Sequence, residues 1–92
     1  MDARPVVVLG GEFDIFRSTT AHDALSAIDG PAILDLSDVT YLDSSFLNEL
    51  ARLRNRVDGE LTLVVGSPQI RRLLKVVGFG ERFTIVDGPA GR

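Results

Sequence analysis

Apolar residues fall in four short runs along the chain, and each run is nearly continuous rather than alternating with polar residues. Such runs are typical of strands that are covered on both faces, as in a parallel sheet. Between them lie three segments in which apolar residues recur every three or four positions, which is the spacing of amphipathic helices. The four predicted strands are Val6–Leu9, Ala32–Leu36, Leu61–Val65 and Phe83–Val86.

Cap residues and helix breakers mark the ends of the three predicted helices. In the third helix, Ser67 is the N-terminal cap, Pro68 occupies the first turn, and Gly78 ends the helix. Its predicted inward residues include Val77. The predicted helices cover about 18–28, 44–57 and 68–77.

Strands that alternate with helices imply right-handed crossovers and a parallel sheet. The sequence therefore predicts an α/β fold in one compact domain over residues 1–92, with a mainly parallel four-stranded sheet. We expect the ordered core to cover about 6–86 and residues 87–92 to form a frayed tail.

Composition narrows the functions that such a domain can have. The chain of 92 residues has a net charge of −3, one histidine and no cysteine. These numbers argue against a basic nucleic-acid-binding face, a zinc site and a disulfide. No apolar run approaches the ~18 residues that span a bilayer, and the first residues do not have the pattern of a signal peptide. We therefore expect a cytoplasmic protein without a cofactor.

The most informative segment joins the second strand to the second helix. We predict that the strand ends in a polar turn, after which Asp43, Ser44 and Ser45 open the helix. A hydroxyl at the first turn of a helix lies beside unpaired backbone N–H groups, so it can cap the helix or accept a phosphate. If Asp43 shares the capping role, the Ser44 hydroxyl is free to face a partner.

Catalytic chemistry has weaker support in the sequence. Carboxylates at Asp14, Asp35 and Asp38 follow or end predicted strands and could hold Mg²⁺ for phosphoryl transfer, but turn formation explains aspartates there more simply. His22 is the one available imidazole and lies in the first predicted helix. No nucleophile elbow of the Gly-x-Ser-x-Gly type surrounds Ser44. We expect no enzymatic activity and no metal site.

Three motifs in order along the chain resemble those of a known family. Gly11–Asp14 is similar to the Gly-Glu-Leu-Asp opening of STAS domains, and Asp35–Ser45 resembles their Asp-Leu-Ser-x-Val-x-x-(Ile/Met/Leu)-Asp-Ser-Ser-Gly signature. Ser67–Leu74 is similar to their Ser-Pro-x-Val-x-x-Leu/Phe helix start. The resemblance spans about residues 6–86 and is closest to the bacterial anti-sigma factor antagonists.

This resemblance implies a partner-switching role in transcription regulation. In that family the unphosphorylated antagonist binds an anti-sigma factor that is itself a serine kinase, and phosphorylation of the serine after the aspartate releases it. That serine corresponds to Ser44. The resemblance implies no direct contact with nucleic acid. Whether the domain forms a weak homodimer through its exposed first strand is left open by the sequence. The predicted partner-binding residues are Asp14, Asp43, Ser44, Ser45, Phe46 and Asn48.

The chain departs from the family pattern in three places. Phe46 replaces the glycine expected after the serine pair, the extra strand usual before Val6 is missing or reduced, and the helix expected after Val86 is absent. The sequence leaves two alternatives to the antagonist function. One is a non-phosphorylated STAS subunit that docks on a larger assembly, such as a lipid-transport ATPase. The other is a Mg²⁺-dependent receiver-like or phosphoryl-transfer domain.

Overall fold

Four strands and three helices alternate along the chain in the computed structural model, which describes residues 5–13 and 18–88. The strands are parallel, and each pairs with the next one along the chain. The predicted α/β fold with a parallel four-stranded sheet is therefore confirmed. The elements are β1 (Val6–Phe13), α1 (Ser18–Ser26), β2 (Ala32–Leu42), α2 (Ser44–Arg56), β3 (Leu61–Val65), α3 (Pro68–Val76), a 3-10 turn (Phe79–Glu81) and β4 (Thr84–Asp87).

The three helices pack on the same face of the sheet. Right-handed crossovers between strands in sequential order place every helix on one side. Burial along β2 agrees, because Leu34 and Leu36 are completely buried while Asp35 between them is only partly buried. The alternation is that of a sheet with one covered face. The structure is thus a two-layer domain with its core between the helices and the sheet.

Strand β2 is longer than the sequence predicts. We expected the strand to end at Leu36 and a polar turn to follow, but β2 continues to Leu42. The second half pairs with β1, with register shifts on the way, and Phe13 lies opposite Leu42. Buried Val39 and Leu42 anchor this polar stretch to the core, and β1, itself extended past Gly10, supplies its hydrogen-bond partners.

Helix α3 begins as predicted but ends one residue earlier. The Ser67 hydroxyl accepts a hydrogen bond from the Ile70 N–H at 3.3 Å, and Pro68 lies in the first turn. Gly78 has a φ of 90°, in the left-handed region that favours glycine. The prediction that Val77 points inward was wrong, because the residue lies beyond the last helical turn and is 43% exposed.

Candidate functional site

Helix α2 begins at the carboxyl edge of the sheet, and Asp43 caps it. Asp43 has an extended backbone, with φ −119° and ψ −172°. Its Oδ1 accepts hydrogen bonds from the N–H groups of Ser45 at 3.0 Å and Phe46 at 3.3 Å. The first intrahelical bond follows from the Leu47 N–H to the Asp43 carbonyl at 3.1 Å. One carboxylate thus satisfies two of the N–H groups left free at a helix start.

Because Asp43 takes the capping role, the neighbouring hydroxyl is available to solvent. Ser44 is the first residue of α2 and is exposed. Its side chain forms no hydrogen bond to another residue within 5–13 or 18–88. Ser45 is half-buried, and Asn48, one turn after Ser44, is exposed. Ser44 and Asn48 therefore share one accessible strip of α2, since residues four apart lie on the same side of a helix.

Phe46 does not belong to this accessible strip. Its ring is 1% exposed and packs in the core together with Leu50 and Leu53, which follow it at helical spacing. The Phe46 side chain is therefore in the core, where its helical spacing places it, and is not part of the exposed surface around Ser44. The residue that replaces the family glycine projects inward, so it adds core volume without covering the surface around Ser44.

Asp14 completes the set of predicted partner-binding residues, and it lies outside the described residues. The structure places the end of β1 beside this site, because Phe13 pairs with Leu42, the last residue of β2. The chain therefore leaves both strands at the same edge of the sheet, next to the start of α2.

A groove adjoins this edge between β2 and the start of α3. Its volume is about 370 Å³. It forms because β3 ends at Val65 while β2 continues to Leu42, so no strand of the described chain pairs with the second half of β2 on that side. Sequence reasoning missed this feature, since it depends on the unequal lengths of two paired strands. The lining residues are Ser37, Asp38, Val39, Thr40, Gly66, Ser67 and Pro68.

Two of the residues considered for catalysis, Asp35 and His22, have close partners within the domain. The Asp35 carboxylate accepts hydrogen bonds from the N–H and the hydroxyl of Ser37, at 3.0 and 2.6 Å. The His22 Nδ1 lies 2.9 Å from a Glu49 carboxylate oxygen on the second turn of α2. In the described part of the chain, no group of three or more histidine or acidic side chains could hold a metal ion.

The fold and the site together define a class of protein: an α/β domain with a polar helix start exposed at the carboxyl edge of its sheet. A family model described as "Mlab, STAS domain" matches residues 1–87. A STAS-domain containing protein of Pseudomonas aeruginosa is 32% identical over 87 residues, which cover 86% of this chain and 84% of that relative. The chain belongs to the STAS domain family.

Membership of this family indicates a role in protein–protein interaction, and the family is generally non-enzymatic. The family includes the anti-sigma factor antagonists that the motifs resemble. Of the helices in the described ranges, none has the length and apolar character needed to cross a bilayer.

Proposed function

We propose that this domain is an anti-sigma factor antagonist that binds an anti-sigma factor kinase through the start of α2 and is released when Ser44 is phosphorylated. The observation that carries the proposal is the division of roles between two neighbouring residues. Asp43 caps the helix, and Ser44 presents an exposed hydroxyl at the first helical position. A kinase can reach this hydroxyl without opening the helix.

Phosphorylation would change the surface of the domain more than its stability. A phosphate adds about −1.5 to −2 charges. The α2 N-terminus favours negative charge by at most ~2 kcal/mol, and the adjacent Asp43 carboxylate opposes it by a similar amount at a wet surface. These two contributions nearly cancel within the folded domain, so the fold tolerates the phosphate.

The effect of the phosphate is larger across an interface. Burying a dianion against a partner surface that offers it no countercharge costs several kcal/mol. A shift from mostly bound to mostly free requires about 5.5 kcal/mol. Because the internal effects cancel and the interfacial cost remains, a phosphate at Ser44 acts on the complex and not on the domain alone.

The proposal is tested with the anti-sigma factor kinases of the source organism. After incubation with each kinase and ATP, phosphopeptide mapping should find the modification at Ser44. Ser44→Glu should weaken binding of the same kinase at least tenfold, while circular dichroism stays native. Ser26→Glu is the matched control, because Ser26 is also an exposed serine but ends α1 at the opposite edge of the sheet. Equal affinity of Ser44→Glu and Ser26→Glu would refute the proposal.

A second candidate function is constitutive docking on a larger assembly, such as a lipid-transport ATPase. It is favoured by the match to a family model described as "Mlab, STAS domain". In that case Ser44 remains unmodified by every kinase in the assay above. The domain would then co-purify with its assembly whether or not a kinase is present, and Ser44→Ala would leave that co-purification unchanged.

A further inference from the structure

Helix α3 combines an exposed apolar residue with exposed basic residues on its outward side. Ile70 and Leu74 are buried beneath the helix. Arg72, Lys75 and Val76 are exposed on the other side. Val76 is 76% exposed, which is the largest fraction of any large hydrophobic residue in the described ranges. Because so much of this side chain is in water, covering it would favour association with a partner.

The segment that contains α3 is basic in a protein that is acidic overall. The whole chain has a net charge of −3, but residues 61–80 contain three basic residues and no acidic one. One of the three, Arg71, is paired with Asp87. The other two, Arg72 and Lys75, form no hydrogen bond or ion pair within the part of the chain that the structure describes. Two positive charges are therefore available to an acidic partner.

Two grooves run along the outward side of α3. The first has a volume of about 500 Å³, and Gln69 and Leu73 belong to its lining. The second has a volume of about 310 Å³, and Arg71 and Lys75 belong to its lining. A ridge thus separates a more apolar groove from a more basic one. The residues that line both grooves are Pro68, Arg72 and Val76.

The spacing of these side chains matches the repeat of a second helix. Leu73 and Val76 are three residues apart, so they lie about one turn apart on the same side of α3. Arg72 and Lys75 have the same spacing. The nine residues of α3 give it a length of about 13 Å. A partner helix with apolar residues one turn apart, and with carboxylates beside them at the same spacing, can contact both pairs over this length.

We infer that the outward side of α3 binds an acidic amphipathic helix of another polypeptide, whose apolar residues contact Leu73 and Val76 and whose carboxylates reach Arg72 and Lys75. An anionic membrane is disfavoured, because two cations contribute only about 1 kcal/mol each at a lipid surface and the chain is negative overall. The α3 helix of a second copy is disfavoured because its cations would repel these two. The inference does not involve Ser44, so it does not depend on the proposed function.

The test uses a synthetic helical peptide of about three turns, with leucine on one side and glutamate beside it, and a matched peptide with lysine in place of glutamate. Methyl NMR should show shifts at Leu73 and Val76 with the glutamate peptide. Arg72→Glu should weaken its binding at least tenfold, because a repulsion replaces an attraction. Arg52→Glu is the matched control and should change binding less than twofold, since Arg52 has a side chain that is 73% exposed but lies on α2.

Three results would overturn the inference. Equal binding of the lysine peptide would show that charge does not select the partner. Equal effects of Arg72→Glu and Arg52→Glu would place the peptide elsewhere. Co-sedimentation of the domain with vesicles of anionic phospholipid that Arg72→Glu abolishes would show that this side of α3 binds a membrane. If Arg72→Glu fails to fold by circular dichroism, Lys75→Glu replaces it with the same expected loss.

Discussion

Asp43 and Ser44 are neighbours at the start of α2, yet their side chains have different partners. The Asp43 carboxylate is held inside the domain by two backbone N–H groups, whereas the Ser44 hydroxyl faces outward. The first residue stabilises the helix start, and in the proposed function the second is the residue that a partner recognises. Separating the two roles lets the hydroxyl be modified without loss of the cap.

We expect Asp43→Ala to lower the free energy of unfolding by about 1 kcal/mol, because two N–H groups at the helix start lose their acceptor. Urea denaturation measures this loss. Ser44→Ala is the control and should change stability by less than about 0.5 kcal/mol. If Ser44→Ala costs as much as Asp43→Ala, the assignment of Asp43 as the cap is wrong.

Local rules were sufficient to predict the position of Ser44, because capping depends on a few consecutive residues. The orientation of Phe46 illustrates a conflict between two sources of information. Its spacing from Leu50 and Leu53 predicts burial, whereas its place in the family motif suggests a surface residue. The structure follows the spacing, since burying an aromatic ring stabilises the fold by several kcal/mol.

At the scale of elements, two arginines of α2 stabilise the ends of other segments. Arg56 donates hydrogen bonds to the carbonyls of Ile28 and Leu25, at 2.7 and 3.0 Å. Arg54 donates to the carbonyls of Val57 and Gly59, both at 2.8 Å. Their partners are distant in sequence or in a loop, so helix spacing alone did not predict these contacts. The sequence did not predict where β2 ends, because the end of this strand depends on its pairing with β1, which is distant in sequence.

Gly78 ends α3 with a φ of 90°, and we expect Gly78→Ala to reduce the free energy of unfolding by about 1 kcal/mol. A side chain in the left-handed region costs roughly 1–2 kcal/mol, which a less flexible unfolded chain partly offsets. For a domain of this size that loss lowers Tm by about 4–8 °C. Gly30→Ala is the control, because Gly30 has no positive φ and no neighbouring atom near its Cβ position. Equal shifts in Tm for the two variants would contradict the role of Gly78.

At the scale of the whole molecule, the domain presents two separate surfaces. The carboxyl edge carries the exposed start of α2 and the groove beside it. The sheet face opposite the helices carries exposed Val6, Val8 and Val86. The parallel sheet follows from the alternation of strands and helices in the sequence, but the order of the strands and the position of all three helices on one face do not. Continuous apolar runs predict a sheet with two covered faces. The helices instead lie on one face, because right-handed crossovers between strands in sequential order place every helix on the same side.

The same strand order predicts a gradient of hydrogen-exchange protection across the sheet. Ala32–Leu36 of β2 have a strand on each side, so all of their amides have backbone partners. β1 lies at the edge, and no described strand pairs with its outer side. Alternate amides of β1 should therefore exchange at least tenfold faster than those of Ala32–Leu36, since they open without unfolding the core. NMR-detected exchange measures both sets in one sample. Uniform slow exchange along β1 that is lost on dilution would instead indicate that a second molecule pairs with this edge.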